Sequence, residues 1–162
     1  MAGKAVANAG FAMTAEDDPD RGAKSRHEPT VPCETIGVVH TPFDRREEAP
    51  RQGLRGDARG ELELDEAFAA GLRGVDPGDE LEVVWYADRA DRSVLEVGGH
   101  GAGGGRERRG VFASRSQDRP TPVCLTRCRV RAVDGTRVSL EGVDMLDGTP
   151  VLDLKTPLPY DD

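Results

Sequence analysis

One dipeptide, Asp134-Gly135, constrains this chain more than any other local feature. It separates two runs that read as strands, residues 123–133 and 137–140. Asp-Gly between such runs supplies the backbone of a two-residue type I′ hairpin, whose twist matches that of paired strands. The C-terminal half is therefore committed to antiparallel β pairing. A second turn signal, Asp147-Gly148-Thr149-Pro150, precedes another strand at 151–154.

Upstream, β-branched and aromatic runs bounded by Gly, Pro and Asp predict further strands at 34–41, 61–64, 80–87, 93–97 and 111–114. Asp65 is placed to cap a short helix over 66–72, with Gly74 beyond its end. Residues 44–59 are charged and broken by Pro50, and they read as a loop long enough to carry function. The first 32 residues lack any periodic apolar pattern and are expected to be a disordered tail, with the domain at 33–162. The sum is a mainly β domain with one or two short helices, of the kind that closes into a small barrel or sandwich.

A core of this size is modest, so a partner subunit would add stability. No apolar run reaches membrane-spanning length. The Ala-rich start is interrupted by Asn8 and poor in long aliphatics, which favours a cytoplasmic location over secretion. The net charge is -8, yet nine Arg and three acids lie between Arg106 and Arg137, so that sector carries +6 and the remainder -14. Arg106, Arg108, Arg109, Arg119, Arg127 and Arg129 are accordingly candidates for phosphate contact, against the alternative of a solvated sheet face. Only Lys4, Lys24 and Lys155 are lysines, which with abundant acids suits a salty interior. Cys124 and Cys128 would stand about 13 Å apart along one strand face, too far to share a metal. The three cysteines are expected to be small buried apolar residues, with no metal site.

Gly99-x-Gly101-x-x-Gly104 matches a dinucleotide fingerprint only formally, since a strand follows it where a helix is needed. Residues 98–105 are expected instead to form a mobile loop near a ligand. His27, His40 and His100 assemble no catalytic triad. Arg115 and Arg119 flank a turn stiffened by Pro120-Thr121-Pro122, from which guanidiniums can clamp carboxylates or phosphates. Asp144, Asp147 and Asp153 surround the second turn, where carboxylates either cap backbone amides or bind a ligand.

Several of these stretches together resemble the TrmO/TsaA-like family of tRNA methyltransferases. They are Ile36-Gly-Val-Val-His-Thr-Pro42, Pro50-Arg51-Gln52, Gly110-Val-Phe-Ala-Ser-Arg-Ser followed by Arg119-Pro-Thr-Pro-Val-Cys-Leu125, and Val143-Asp-Met-Leu-Asp-Gly-Thr-Pro-Val-Leu-Asp-Leu-Lys155. The resemblance implies a small β-barrel that dimerises and binds S-adenosylmethionine near the subunit interface. It implies methylation of N6 of threonylcarbamoyladenosine at position 37 of tRNA. By the same match, Pro50, Arg51, Gln52, Asp88, Arg89, Arg115, Leu125, Asp144, Asp147, Gly148 and Thr149 would lie at the cofactor, and Asp144 or Asp147 would take the proton. Thr121, Cys124, Thr156 and the pair Asp88-Arg89 depart from the family's usual residues. Those departures keep two alternatives open: a methyltransferase of the same fold with another substrate, and a non-enzymatic module that binds S-adenosylmethionine or RNA.

Overall fold

The computed structural model describes residues 11–13, 27–29, 31–53, 56–99 and 106–158. Ten strands run in chain order: β1 Phe11–Met13, β2 His27–Pro29, β3 Gly37–His40, β4 Arg59–Leu64, β5 Glu80–Tyr86, β6 Glu96–Gly99, β7 Arg106–Gly110, β8 Val123–Asp134, β9 Arg137–Glu141 and β10 Thr149–Lys155. Six of them close into a barrel in the order β10-β3-β4-β9-β8-β5, every neighbouring pair antiparallel. Closure leaves no unpaired sheet edge in that body. The chain falls into two compact units, 1–34 and 35–162. Within the first, whose residues 1–32 the sequence predicts to be a tail, the described residues include β1 and β2, paired antiparallel.

The period of two sorts each strand into an inward and an outward set. Leu81, Val83 and Trp85 of β5 point inward, as do Thr126, Cys128 and Val130 of β8. Val39, Leu62, Leu64, Val138, Leu140 and Val151 complete the ring, and the β9–β10 connection adds Val143 and Met145. The outward set is charged and matched across strands. Glu82 of β5 stands opposite Arg127 of β8, and Glu80 opposite Arg129. Arg129 in turn faces Glu141 of β9, and Glu63 of β4 faces Arg137. The inward placement of Thr126 leaves Val123 and Leu125 on the outside, 40% and 48% exposed.

The Asp134-Gly135 hairpin forms, shifted by one residue. Asp134 pairs with Arg137, so the two central turn residues are Gly135 and Thr136. Gly135 has φ +59°, the sign that both primed turn types require at the first central position. The predicted helix exists as a 3-10 helix, Glu66–Leu72, capped by the Asp65 carboxylate on the Ala67 amide at 2.9 Å.

Three expectations need correction. Residues 111–113 form a 3-10 turn instead of a strand. The strand lies just before it, β7, hydrogen-bonded to β6 in a two-stranded ribbon separate from the barrel sheet. A ribbon outside the barrel has no buried face to announce, so Arg-Glu-Arg-Arg carries no alternation that would reveal it. The third concerns cysteine: Cys128 is buried and Cys124 half-buried, but Cys33 is exposed. All three are free thiols, and burial pushes Cys124 up to about 11 and Cys128 up to about 12, which leaves both unreactive at neutral pH. Among the described residues, no helix is long and apolar enough to cross a membrane.

Candidate functional site

Outside the barrel, beside β5 and β8, two adjoining clefts of about 210 and 380 Å³ share Arg51, Gln52, Arg115, Ser116, Gln117 and Asp144. Three separate stretches of chain deliver these groups: the loop before β4, the turn before β8, and the connection after β9. The inner cleft also reaches Trp85, Val123, Cys124, Leu125 and Thr126, and the outer one reaches Arg46, Arg109 and Asp118. A shallower depression of about 540 Å³ lies over β3, β4 and β9, around His40, Arg59 and Leu140. It contains no buried titratable group, and its Arg131 and Glu61 are ion-paired to neighbouring strands. The chemistry therefore concentrates in the β5–β8 clefts.

Asp144 is the centre of that concentration. Its neighbours Val143 and Met145 are fully buried in the core, which turns the Asp144 side chain toward the cleft. One carboxylate oxygen accepts the Gly53 amide at 2.8 Å, and the other accepts the Thr126 hydroxyl. The direction of the second bond is fixed from behind. The Trp85 indole N–H, which can only donate, gives its proton to Thr126 Oγ1 at 2.9 Å. The single Thr126 proton is then left for Asp144. Burial nevertheless raises the Asp144 pKa above the usual 3.8, against the lowering effect of Thr126, the Gly53 amide and the nearby Arg115.

The loop that carries Arg51 and Gln52 is held close on both sides. A Cβ on Gly53 would sit 1.8 Å from the Gly142 carbonyl oxygen and 2.8 Å from the Thr126 methyl, so only glycine fits between loop and barrel. Further out, Arg46 makes a bidentate pair with Asp118 at 2.7 and 2.9 Å and keeps that carboxylate below its usual value. Asp118 also accepts the Asp91 amide at 2.8 Å.

Of the cofactor residues predicted from sequence, Pro50, Arg51, Gln52, Arg115, Leu125 and Asp144 converge on these clefts. Asp88, Arg89, Asp147, Gly148 and Thr149 do not line them. Asp147 accepts the Thr41 amide at 3.0 Å, while Arg89 donates to the Asp147 carbonyl at 2.7 Å. The Gly148 amide bonds the Val39 carbonyl, and the Thr149 hydroxyl bonds the Leu146 carbonyl at 2.7 Å. Asp88 is exposed. The second turn thus ties β10 to β3 through the Asp147 carboxylate and the Gly148 amide. Of the two carboxylates proposed as base, Asp144 alone reaches the cleft.

The predicted arginines divide as sharply. Arg109 lines the outer cleft. Arg119 lines the inner one, yet its guanidinium donates to the Val111 and Ser114 carbonyls and closes the 3-10 turn. Its buried Nε has no partner among the described residues. Arg108 pairs with Glu96 at 3.6 Å, Arg127 with Glu82 at 3.2 Å, and Arg129 with Glu80 at 3.8 Å. Gly98 and Gly99 of the expected 98–105 loop instead end β6, while residues 100–105 and the Arg106 side chain lie outside the described residues. Sequence reasoning passed over Thr126, Trp85 and Gly53. A buried Trp needs an acceptor for its N–H, but nothing local says that the acceptor is 41 residues away.

Comparisons with known proteins now bear on the site. Residues 38–162 match the family described as the tRNA-methyltransferase O N-terminal domain. A probable S-adenosyl-L-methionine-binding protein of Halobacterium salinarum is 44% identical over 125 residues, spanning 76% of this chain and 95% of its own length. An S-adenosyl-L-methionine-binding protein of Archaeoglobus fulgidus is 38% identical over 74% of this chain and 84% of its own. The tRNA (adenine(37)-N6)-methyltransferase of Escherichia coli is 33% identical over 78% of this chain, which spans 57% of that enzyme. A crystal structure of TrmO from Pseudomonas aeruginosa superposes with a TM-score of 0.65 at 32% identity, covering 82% of this chain and 57% of that one.

The network around Asp144 makes a ligand-free prediction. Its folded pKa lies above 3.8, so the folded state holds this proton more tightly than the unfolded one. Asp144 ionisation therefore lowers stability as pH rises from the unfolded value through the folded one. Thr126→Val removes a donor that favours the charged form and is expected to raise the midpoint further, with Thr126→Ser restoring it. Carboxyl 13C NMR titration reads this directly. An unchanged midpoint in Thr126→Val would contradict the network.

Proposed function

The chain belongs to the tRNA-methyltransferase O N-terminal domain family, and on that premise we propose that it is an S-adenosylmethionine-dependent tRNA methyltransferase of the cytoplasm, acting on N6 of threonylcarbamoyladenosine 37. The observation that carries this reading is the convergence of Arg51, Arg115, Leu125 and Asp144 on one cleft from three distant segments. The residues present suit the cofactor's chemistry. Arg51 and Arg115 are placed for its carboxylate, since a guanidinium fork matches that group. Val123 and Leu125 offer exposed apolar surface for its purine. Asp144 places a carboxylate where a cation would bind. When bound, S-adenosylmethionine supplies an activated methyl group on a cationic sulfur.

The chain's own part is to orient the target nitrogen and to receive its proton. Asp144 is the carboxylate available for this in the inner cleft, and burial raises its affinity for a proton. Gly53 and Thr126 hold both of its oxygens in place while the reaction proceeds.

A second copy of the chain fits the same face. Leu95, just before β6, and Phe112, just after β7, are exposed by 63% and 85%. Large apolar side chains left in water near a site mark a surface that something covers. The proposed assembly is a homodimer joined there. Sedimentation equilibrium should find a dimer that Phe112→Asp converts to monomer, and a wild-type monomer at assay concentration would exclude it.

Activity is tested by transfer of labelled methyl to total tRNA carrying threonylcarbamoyladenosine, from low to multimolar salt, with unmodified tRNA as control. Label is expected in the modified nucleoside alone, reduced by roughly 10²-fold or more in Asp144→Asn. Equal labelling of unmodified tRNA would point to another target on the same scaffold. Cofactor binding without transfer at any salt would leave a binding module.

A further inference from the structure

The linear sequence makes 106–137 the basic sector of an acidic protein, and folding redistributes that charge. Arg127, Arg129, Arg131 and Arg137 sit on outward positions of β8 and β9. There they pair with Glu61, Glu63, Glu80, Glu82 and Glu141 from β4, β5 and β9. With Arg59 of β4, which stands opposite Glu141, the face carries five guanidiniums against five carboxylates and no net charge. A polyanion gains little from the β8 and β9 arginines, because each of them already faces a carboxylate.

The cleft is different. Arg46, Arg51, Arg109 and Arg115 line its outer part against Asp118 and Asp144, a net of +2. Arg46 is committed to Asp118. Among the described residues the Arg51 and Arg109 guanidiniums have no hydrogen-bond or ion-pair partner, and the Arg115 guanidinium donates only to the Leu125 carbonyl at 3.1 Å. Arg51 and Arg115 also reach the inner cleft, where the cofactor's carboxylate would compete for them. Arg109, an exposed residue of β7, lines the outer cleft and not the inner one.

We propose that the RNA backbone is bound at the mouth of this cleft, with Arg109 as its phosphate contact outside the cofactor site, and that the arginines of β8 and β9 take no part in RNA binding. The geometry brings the strand carrying the target nucleotide directly to Asp144, with no need to wrap around the barrel. An uncompensated guanidinium is the group that binds phosphate by releasing counterions. The inference rests on the cleft being the methyl-transfer site.

The test is the salt dependence of binding of labelled bulk tRNA by full-length protein, followed by fluorescence anisotropy over a potassium chloride series. S-adenosylmethionine affinity is measured separately by calorimetry. Arg109→Gln should reduce the slope of log affinity against log salt by about 1, with cofactor affinity unchanged, and Arg109→Lys should restore it. Arg129→Gln and Arg137→Gln should keep the wild-type slope. A lost slope in the β8–β9 variants with a wild-type slope in Arg109→Gln overturns this inference and leaves the proposed function standing. Wild-type protein that binds S-adenosylmethionine but no tRNA at any salt overturns both.

Discussion

The clamp on Asp144 is the interaction on which the rest of the site depends. One carboxylate joins the amide of a loop, the hydroxyl of a barrel strand and, through that hydroxyl, the indole of a second strand. Remove it and the loop bearing Arg51 and Gln52 loses its bond to Asp144, while the Thr126 hydroxyl, which also accepts from Trp85, loses the acceptor for its own proton. The closed barrel makes such a clamp possible. Leu81, Val83, Cys128 and Val130 fix the spacing of β5 and β8, and that spacing sets the reach between Trp85, Thr126 and Asp144. A buried carboxylate carries a desolvation cost that hydrogen bonds only partly offset. The raised pKa is the trace of that cost.

Charge along a chain and charge in space are different quantities here. The strand period sends every second residue of β8 outward, so Arg127, Arg129 and Arg131 emerge together. The antiparallel register then sets them beside the glutamates of β5 and β9. Exposed pairs of this kind contribute little stability each. Their larger effect is to cancel a field that composition alone would assign to the protein. What remains uncancelled is concentrated where loops meet the barrel.

Much of the fold was legible because strands and turns announce themselves locally. The Asp-Gly turn, the alternation of β5 and the Asp65 cap all follow from short-range chemistry, and each forms. β7 was hidden because a ribbon apart from the barrel has no buried face. The one-residue slip in the hairpin reflects register imposed by inward packing of Thr126, Cys128 and Val130, which a local turn preference does not fix. In the site, Pro50, Arg51, Gln52, Arg115, Leu125 and Asp144 were legible through their motifs. Asp147, Gly148 and Thr149 share a motif with Asp144 yet serve the strand junction, since a turn sends neighbouring residues in opposite directions. Thr126 and Trp85 were invisible because their meaning lies in a contact across two strands.

The most direct measurement is an S-adenosylmethionine titration of 15N-labelled protein followed by NMR. The Gly53 amide and the Trp85 indole N–H both report on the groups that hold Asp144. Both should shift with one saturable affinity, while Ser139 and Leu140, in the depression over β3, β4 and β9, stay still. Shifts confined to that depression, or none at Gly53 and Trp85 at saturating cofactor, would contradict the assignment of this cleft.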